Sequence, residues 1–263
     1  MVVITSKDNS VVKEIKKLKE KKFRDEKHQF IVEGIKLVGE AIAENADIDC
    51  IVVCEDCVNN GELEKKLLYE IAKFKCIYVT KKIFDTLTDV TNPQGILAVV
   101  NRQKQSIEVD YSKNFILVLD GIQDPGNLGT ILRTADAAGL TQVVLSKETA
   151  DCYNPKVVRS TMGGIFRINI IRKDNIAETL KEVKRNGFEV VVTALDAQES
   201  MYNVDYNKKV IVIGNEANGV SSQVQELADK KIKIPMPGKA ESLNASVATG
   251  IIIYEYVRKN WSH

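Results

Sequence analysis

The stretch Gly121-Ile-Gln-Asp-Pro-Gly-Asn-Leu-Gly-Thr-Ile-Leu-Arg-Thr134 follows an unbroken apolar run that begins at Phe115. Such a run is typical of a strand buried on both faces of a parallel sheet, and the Gly- and Asn-rich turn then opens into helical sequence. Two later blocks have the same form: Val-Ile-Gly-Asn-Glu-Ala-Asn-Gly-Val-Ser from Val212, and Ile-Pro-Met-Pro-Gly-Lys-Ala-Glu-Ser-Leu-Asn-Ala-Ser from Ile234. Because open α/β sheets bind ligands in the loops at the carboxyl ends of their strands, the three blocks predict one composite site.

Strand-like and helical segments alternate along the chain, which is typical of an α/β fold. Residues 102–114 are polar and lack sustained periodicity, so we interpret them as a linker between two domains. The expected domains are a smaller α/β domain over residues 1–101 and a larger one over residues 115–263. The larger domain is predicted to contain a mainly parallel sheet with helices on both faces.

The bulk composition is that of a soluble globular protein, with 44% hydrophobic and 28% charged residues among 263. No apolar run approaches the ~18 residues that a membrane-spanning helix needs. The amino terminus lacks the basic-then-apolar order of a signal peptide. We therefore expect a cytoplasmic protein that makes no contact with a membrane.

Five cysteines, an odd number, do not indicate a disulfide framework. Cys54 and Cys57 form a single Cys-x-x-Cys pair, whereas a structural metal site needs a second pair of ligands. The two histidines, His28 and His263, are far away in the sequence. We expect reduced cysteines and no metal site.

The net charge is only +1, but positive charge is concentrated near the amino terminus. Residues 13–27 contain eight Lys and Arg residues against four acidic ones. Two interpretations remain open: a solvated face of an amphipathic helix, or a surface that follows RNA phosphates without reading bases. On the second interpretation the candidate RNA contacts are Lys16, Lys17, Lys21 and Arg24, together with Arg159, which follows an Asn-Pro pair.

Two familiar phosphate-binding motifs can be excluded for the first block. Gly121 and Gly126 have the glycine spacing of a P-loop, but Asn127 and Leu128 occupy the positions where Lys and Ser or Thr contact phosphate and magnesium. None of the three blocks contains the Gly-x-Gly-x-x-Gly fingerprint of dinucleotide-binding domains. What remains specific is the order of the polar side chains rather than the glycines.

That order resembles the motifs of the SpoU/TrmH family of RNA ribose 2′-O-methyltransferases. The resemblance covers residues 115–260 and includes all three blocks in the family's order. Phe30-Ile-Val-Glu-Gly and Pro93-Gln-Gly-Ile are similar to the family's substrate-binding domain. One motif alone would be weak, but three in order, each after a predicted strand, are specific.

The resemblance implies S-adenosyl-L-methionine (AdoMet) as cofactor, bound in a trefoil knot that the carboxyl-terminal segments form. It also implies a homodimer formed through the carboxyl-terminal domain. Apolar residues and backbone amides suit the adenine of this cofactor, which needs a hydrophobic slot and a few fixed hydrogen bonds. By position, the cofactor-binding residues are expected to be Thr193, Leu195, Gly214, Asn215, Ile234, Met236, Ser242 and Leu243.

The implied reaction is attack of a ribose 2′-hydroxyl on the cofactor's methyl group, with Arg133, Asn127, Glu216 and Asn244 as the catalytic residues. The family assigns activation of the hydroxyl to the residue that matches Arg133. Arginine is effectively never deprotonated in proteins. We therefore favour a role for Arg133 as a cation that orients the hydroxyl and stabilises a developing alkoxide over a role as general base. Asn127 would position Arg133 or the ribose, and Glu216 and Asn244 would hold the loops.

Each of these side chains also has a purely structural interpretation. Arg133 can pair with Asp136 one turn later, Asn127 and Asn244 can cap helices, and Glu216 can be a solvated loop acid. The small residues of the last helix allow either packing within the chain or a subunit interface, and the resemblance favours the interface.

The function expected from these residues is methylation of a ribose in structured RNA. The resemblance implies 23S ribosomal RNA rather than transfer RNA, because the appended first domain of this family is similar to RNA-binding domains of large-subunit ribosomal proteins. Three alternatives stay open: a tRNA 2′-O-methyltransferase, an RNA-binding protein that keeps the cofactor fold without catalysis, and a small-molecule nucleotide enzyme. The last leaves the first domain and the basic segment without a role.

Overall fold

The structure is a computed structural model, and it describes residues 2–59, 65–102 and 108–260. Internal contacts divide the chain into two compact units. The first unit comprises Met1–Lys104 and Asp151–Phe166, and the second comprises Gln105–Ala150 and Arg167–His263. Residues 103–107 of the predicted linker lie outside the described residues.

The first unit is a mixed five-stranded sheet with helices around it. Its strands are β1 (Val3–Ile4), β2 (Gln29–Glu33), β3 (Ile48–Cys54), β4 (Cys76–Val79) and β5 (Ile96–Asn101), in the order β1-β4-β3-β5-β2. Strand β4 pairs in parallel with β1 and β3, whereas β5 is antiparallel to β2 and β3. Its helices are α1 (Ser10–Lys17), α2 (Lys21–Lys27), α3 (Ile35–Ala43), α4 (Glu55–Asn59), α5 (Lys65–Ile71), α6 (Lys81–Leu87) and, from the later segment, α8 (Pro155–Thr161).

The second unit is a seven-stranded sheet whose strand pairs are all parallel. Its strands are β6 (Phe115–Asp120), β7 (Gln142–Ser146), β8 (Asn169–Lys173), β9 (Glu189–Thr193), β10 (Glu199–Ser200), β11 (Lys209–Gly214) and β12 (Lys230–Lys233), in the order β10-β12-β9-β11-β6-β7-β8. Its helices are α7 (Pro125–Ala137), α9 (Ile176–Arg185), α10 (Ser222–Gln225) and α11 (Ala245–Asn260). Every residue of β6 and β7 is buried. The predicted α/β fold with a buried parallel sheet is confirmed.

The strand order places the predicted site. Strand β6 pairs with β7 on one side and with β11 on the other, so the chain changes direction across the sheet at β6. In open α/β sheets this switch point opens a crevice at the carboxyl ends of the strands. The first block follows β6 and the second follows β11, so neighbouring strands bring the two loops together.

Residues 151–166 depart from the predicted domain boundaries, which assign them to the larger domain. Their contacts group them with the first unit, where Tyr153 packs on Phe30 with ring centroids 4.9 Å apart. The buried Arg24 donates to Asp151 over 2.6 Å in the same unit. Neither contact follows from local sequence pattern.

Candidate active site

Side chains from all three blocks form one hydrogen-bonded chain. The Asn127 Nδ2 donates to Glu216 Oε1 over 2.9 Å. The Asn244 Nδ2 donates to Asn127 Oδ1, also over 2.9 Å. Asn127 therefore joins the second block to the third, although 89 and 117 residues separate it from its two partners.

Glu216 is an anionic acceptor that holds the first loop. Its carboxylate accepts from the backbone N–H groups of Gln123 and Asp124, each over 3.2 Å, in addition to Asn127. Burial alone would raise the pKa of Glu216, but the hydrogen bonds from Asn127 and the backbone outweigh it and lower this pKa below its ordinary value. Glu216 is therefore a structural anion at neutral pH and has no proton to donate.

Asn244 caps α11 and also reaches the network. Its Oδ1 accepts from the backbone N–H groups of Ser246 and Val247 and from the Ser246 hydroxyl. Since these donors occupy the oxygen, the Nδ2 is left for Asn127, and the amide orientation is determined. Asn244 is thus a helix cap that also reaches the network, and its catalytic role stays a prediction.

Asn127 is not a helix cap. Helix α7 begins at Pro125, earlier than the apolar pattern predicts, and Asp124 is its N-cap, accepting from the Asn127 N–H over 2.8 Å. Proline in the first turn fits because its missing N–H would be unpaired there. This cap places Asn127 in the first turn, with its side chain available for Glu216 and Asn244.

Arg133 stands apart from the other three predicted catalytic residues. It is exposed on α7, and within residues 2–59, 65–102 and 108–260 it has no hydrogen bond or ion pair. Asp136, the partner expected from the structural interpretation, is instead bound by Arg167, with Nε–Oδ1 and Nη2–Oδ2 distances of 3.0 and 2.8 Å. Six residues on an α-helix turn the direction by about 120° between Asn127 and Arg133, so the two do not share a face.

A cavity of about 990 Å³ lies beside the network. Glu216 and Asn244 belong both to its wall and to the network. All eight predicted cofactor residues line it, namely Thr193, Leu195, Gly214, Asn215, Ile234, Met236, Ser242 and Leu243. Among the described residues, its wall includes neither Arg133 nor any residue of the loop 121–127.

The wall also contains residues that the sequence reasoning missed. They include Ile232 of β12 and three residues of α11: Ala245, Ala248 and Ile252. The spacing of the α11 residues, three and then four, is one helical face. That spacing, directly after Asn244, was a usable signal for the cavity side of the helix.

The second loop folds back tightly over its own strand. Asn215 and Gly219 exchange two backbone hydrogen bonds of 2.9 Å. A Cβ at Gly214 would overlap the backbone of Gly219 and Val220, so only glycine fits under the returning loop. The loop therefore brings backbone atoms close to the cavity, as a site for a planar ring with hydrogen-bonding edges requires.

Comparison with known proteins agrees with this geometry. A model of the SpoU rRNA Methylase family matches residues 114–254, and a model of the MRM3-like substrate binding domain matches residues 9–98. The chain belongs to the SpoU methylase family. The predicted resemblance is confirmed.

Relatives of this family match nearly the whole chain. The 23S rRNA (guanosine(2553)-2′-O)-methyltransferase RlmP of Bacillus subtilis is 35% identical over 255 residues, covering 97% of this chain and 98% of the relative. The AdoMet-bound rRNA methyltransferase of Sinorhizobium meliloti superposes with a TM-score of 0.86 at 32% identity, covering 99% of both chains. The A. aeolicus TrmH/SpoU tRNA modifying enzyme superposes with a TM-score of 0.51 at 38% identity and covers 56% of this chain and 75% of its own.

The basic residues of the first unit, which includes the second matched region, are mostly paired. Lys17 binds Glu14 over 2.8 Å, and Lys21 binds Asp25. Lys16 is exposed and has no ion pair within the described part of the chain. These exposed ion pairs contribute little to the free energy of unfolding. Each acidic partner nevertheless reduces the positive potential that an RNA phosphate would experience near its lysine.

The prediction that Arg24 contacts RNA is wrong. Its side chain is 2% exposed, and all three guanidinium nitrogens are engaged. They donate to the Asp151 carboxylate and to the carbonyls of Leu18 and Lys19. The bonds to Leu18 and Lys19 also stabilise the turn between α1 and α2. The sequence pattern predicts one continuous helix there.

Arg159 is half-buried in the first unit, with its side chain 30% exposed. Its Nη1 is 3.8 Å from Glu33 Oε2, too far for a hydrogen bond. Burial raises the pKa of the Glu33 carboxyl, and a hydrogen bond from Thr88 opposes the rise. An RNA contact by Arg159 stays a prediction.

Two further expectations concern metal and membrane. Among the described residues, no group of three or more His, Cys, Asp or Glu side chains could hold a metal ion. In the same residues, no helix combines the length and apolarity that crossing a bilayer requires. All five cysteines lie within the described residues, and none of them forms a disulfide bond.

Proposed function

We propose that this chain methylates a ribose 2′-hydroxyl of 23S ribosomal RNA with AdoMet as the methyl donor. One observation carries the proposal: Glu216 and Asn244 form part of the cavity wall and at the same time hold Asn127. A cofactor in the cavity would therefore lie next to the polar side chains that could position a substrate. Holding two reactants in this way supplies much of the rate enhancement of a group transfer.

The cavity suits AdoMet by its chemistry. Ile234, Met236 and Leu243 offer apolar surface, while Thr193 and Asn215 stand at strand ends beside exposed backbone. When bound, the cofactor supplies an electrophilic methyl group on a sulfonium centre. The residues of the cavity bind and orient it, and the proposed trefoil knot of the family would enclose it.

Arg133 is proposed to act on the ribose. As an exposed cation without an ion pair in the described chain, it can orient the 2′-hydroxyl and stabilise the negative charge that develops on the oxygen. Asn127 would position the ribose, and Glu216 keeps the loop that carries Asn127 in place. The hydroxyl proton passes to solvent or to an RNA group, because arginine keeps its own proton.

The first unit is proposed to bind the RNA, and rRNA is favoured over tRNA. The S. meliloti rRNA methyltransferase matches 99% of the chain, whereas the A. aeolicus tRNA modifying enzyme matches 56%. The additional part is therefore shared with the rRNA methyltransferase. The substrate would place the enzyme in the cytoplasm, and the guanosine named for RlmP makes a guanosine ribose the proposed target.

A homodimer through the second unit completes the proposal. Val247 and Tyr254 of α11 are each 50% exposed, although both are large and apolar or aromatic. Surfaces of this kind are enriched at subunit interfaces. Sedimentation of the full chain at micromolar concentration tests this: a dimer supports it, and a monomer alone contradicts it.

The central experiment incubates the protein with tritium-labelled AdoMet and unmodified 23S rRNA transcript, with total tRNA as the competing substrate. Wild type should label a single ribose of the 23S rRNA. Arg133→Ala should reduce the rate about 100-fold or more, as expected for loss of a charge-stabilising donor, with little change in AdoMet affinity. Arg185→Ala, at the exposed end of α9, is the matched control and should remain active.

Three results would contradict the proposal. Full activity of Arg133→Ala would remove the catalytic role of Arg133. Labelling of tRNA alone would favour the tRNA alternative. Binding of 23S rRNA without any labelling would favour an RNA-binding protein that keeps only the cofactor fold.

A further inference from the structure

The first peptide of the first loop is held by two buried hydroxyls that belong to none of the three blocks. The Gly121 N–H donates to Ser146 Oγ over 3.0 Å and to Thr149 Oγ1 over 3.2 Å. Ser146 is 1% exposed and Thr149 is 2% exposed. Ser146 ends β7, so the strand next to β6 supplies the anchor.

The hydroxyl protons of this pair are fully used. Thr149 Oγ1 donates to the Leu119 carbonyl over 3.0 Å. Since that proton is committed, the 3.2 Å contact between the two hydroxyls has Ser146 as donor and Thr149 as acceptor. The Thr149 hydroxyl thus donates to the Leu119 carbonyl and accepts from the Gly121 N–H. Because every hydroxyl of this buried network is paired, we expect the network to be rigid.

Arg172 of β8 holds the turn that carries Thr149. Its Nη2 donates to the carbonyls of Lys147 and Thr149, over 2.7 and 2.6 Å. The Ala150 N–H in turn donates to the Ile122 carbonyl over 2.9 Å. The turn 147–150 is therefore held in place by Arg172, and it binds the chain that leaves β6 through the Ala150–Ile122 hydrogen bond.

The opposite side of the Gly121 residue is bound by the second block. The Gly121 carbonyl accepts from Asn215 Nδ2 over 2.7 Å, and Gly121 itself adopts a φ of +77°, which favours glycine. Both the N–H and the C=O of this residue are thus fixed. Three residues later Asp124 caps α7, which begins at Pro125, so the orientation at Gly121 sets where Asn127 lies.

We propose that Thr149, supported by Ser146 and Arg172, is a positioning residue for methyl transfer. It sets the direction in which the first loop leaves β6 and so places Asn127 and α7 against the cofactor. This inference rests on the proposed function. Among the described residues, neither hydroxyl lines the cavity, nor does any residue of the loop 121–127, so the pair acts on the first loop and is not part of the lining that would bind the cofactor.

The test is Thr149→Val, which keeps the shape of the side chain and removes the three hydrogen bonds that its hydroxyl makes with Leu119, Gly121 and Ser146. At saturating AdoMet and 23S rRNA transcript, kcat should fall about tenfold, corresponding to the loss of one well-placed hydrogen bond at the site. The AdoMet Kd from calorimetry should stay within about twofold, because the cavity wall is intact. Thr149→Ser restores the hydroxyl and should recover most of kcat.

Thr179→Val is the matched control. Thr179 is 4% exposed in the same unit, and its hydroxyl donates only to the Asn175 carbonyl at the start of α9. The same chemical change there should leave kcat unchanged. If Thr149→Val does not fold, Arg172→Lys replaces it, since lysine cannot reproduce the planar guanidinium geometry at the Lys147 and Thr149 carbonyls, and kcat should fall about threefold or more.

Three outcomes would overturn the inference. Wild-type kcat in Thr149→Val, with Arg133→Ala inactive, would leave the proposed function standing and refute the role of Thr149. Loss of AdoMet affinity, kcat and thermal stability in parallel, without rescue by Thr149→Ser, would show that Thr149 only supports the fold. Absence of methyl transfer in wild type would instead refute the proposed function, and the role of Thr149 in the reaction with it.

Discussion

Arg133 has no ion pair in the described chain because Arg167 binds Asp136, the acid that would otherwise pair with Arg133. Asp136 lies one turn after Arg133, a spacing at which opposite charges on a helix attract each other. Arg167 instead binds the Asp136 carboxylate through two nitrogens. The arrangement leaves the guanidinium of Arg133 unpaired on α7.

This arrangement predicts a loss of activity and its rescue. In Arg167→Met the freed Asp136 should pair with Arg133, and since such a helix pair is worth about 0.2–0.5 kcal/mol, kcat/KM should fall about twofold. The double variant Arg167→Met/Asp136→Asn removes the competitor and should restore kcat/KM. Steady-state kinetics of the three proteins checks this. A double variant that is no better than Arg167→Met would show that the pair serves another purpose.

At single positions the sequence motifs predicted more than composition did. The resemblance to the family's motifs named the eight cavity residues and the residues Asn127, Glu216 and Asn244, which the structure brings together. Arg24 was misjudged because its partner, Asp151, is 127 residues away and its burial depends on that contact. A charge pattern along one helix carries no information about such a partner.

At the scale of elements, the loop after β11 shows how a single glycine determines a cavity wall. Asn215, Glu216, Ala217 and Gly219 all line the cavity, and their position depends on the return of the chain over Gly214. In Gly214→Ala the added Cβ would push the returning backbone outward. The substitution is therefore expected to weaken AdoMet binding about tenfold or more, since a shift of the wall loses several contacts at once.

Gly238→Ala is the control for this prediction. Gly238 belongs to the third block, has no positive φ and has no atom within 4 Å of its added Cβ. Calorimetric titration with AdoMet should give a wild-type Kd for Gly238→Ala and a much weaker one for Gly214→Ala. Equal affinity in the two variants would mean that the second loop does not shape the cofactor site.

Element boundaries were harder to predict than element types. The parallel strands were recognisable because burial on both faces produces unbroken apolar runs such as β6 and β11. The start of α7 at Pro125 is hard to predict, because Pro125, Gly126 and Asn127 look like a turn until the Asp124 cap is recognised. Helix α8 has no apolar stripe long enough to be recognised from periodicity, and it was missed.

At the scale of the whole molecule, the order of the sequence is not the order of the contacts. The chain leaves the second unit after Ala150 and contributes residues 151–166 to the first. A boundary drawn from composition at residues 102–114 cannot detect this, since only contacts such as Arg24–Asp151 and Phe30–Tyr153 reveal it. A basic residue that forms an internal ion pair, such as Arg24, can therefore be mistaken for an RNA contact when it is judged from charge alone.

Three substitutions should separate the basic residues that pack inside the first unit from those that could contact RNA. Arg24→Met leaves the half-buried Asp151 and two carbonyls without their donor, and loss of one partner of a buried pair costs about 3–5 kcal/mol. It should lower the midpoint of urea unfolding while the salt dependence of 23S rRNA binding by folded protein is unchanged.

Lys16→Ala should leave the unfolding midpoint unchanged and flatten the salt dependence of 23S rRNA binding. One exposed lysine that contacts a phosphate contributes about 0.7–0.9 to the slope of log K against log salt. Lys17→Ala, whose charge is paired with Glu14, should change that slope less. A flattened slope in Arg24→Met, or a wild-type slope in Lys16→Ala, would contradict this division, because phosphates can be contacted only by cations that reach the surface.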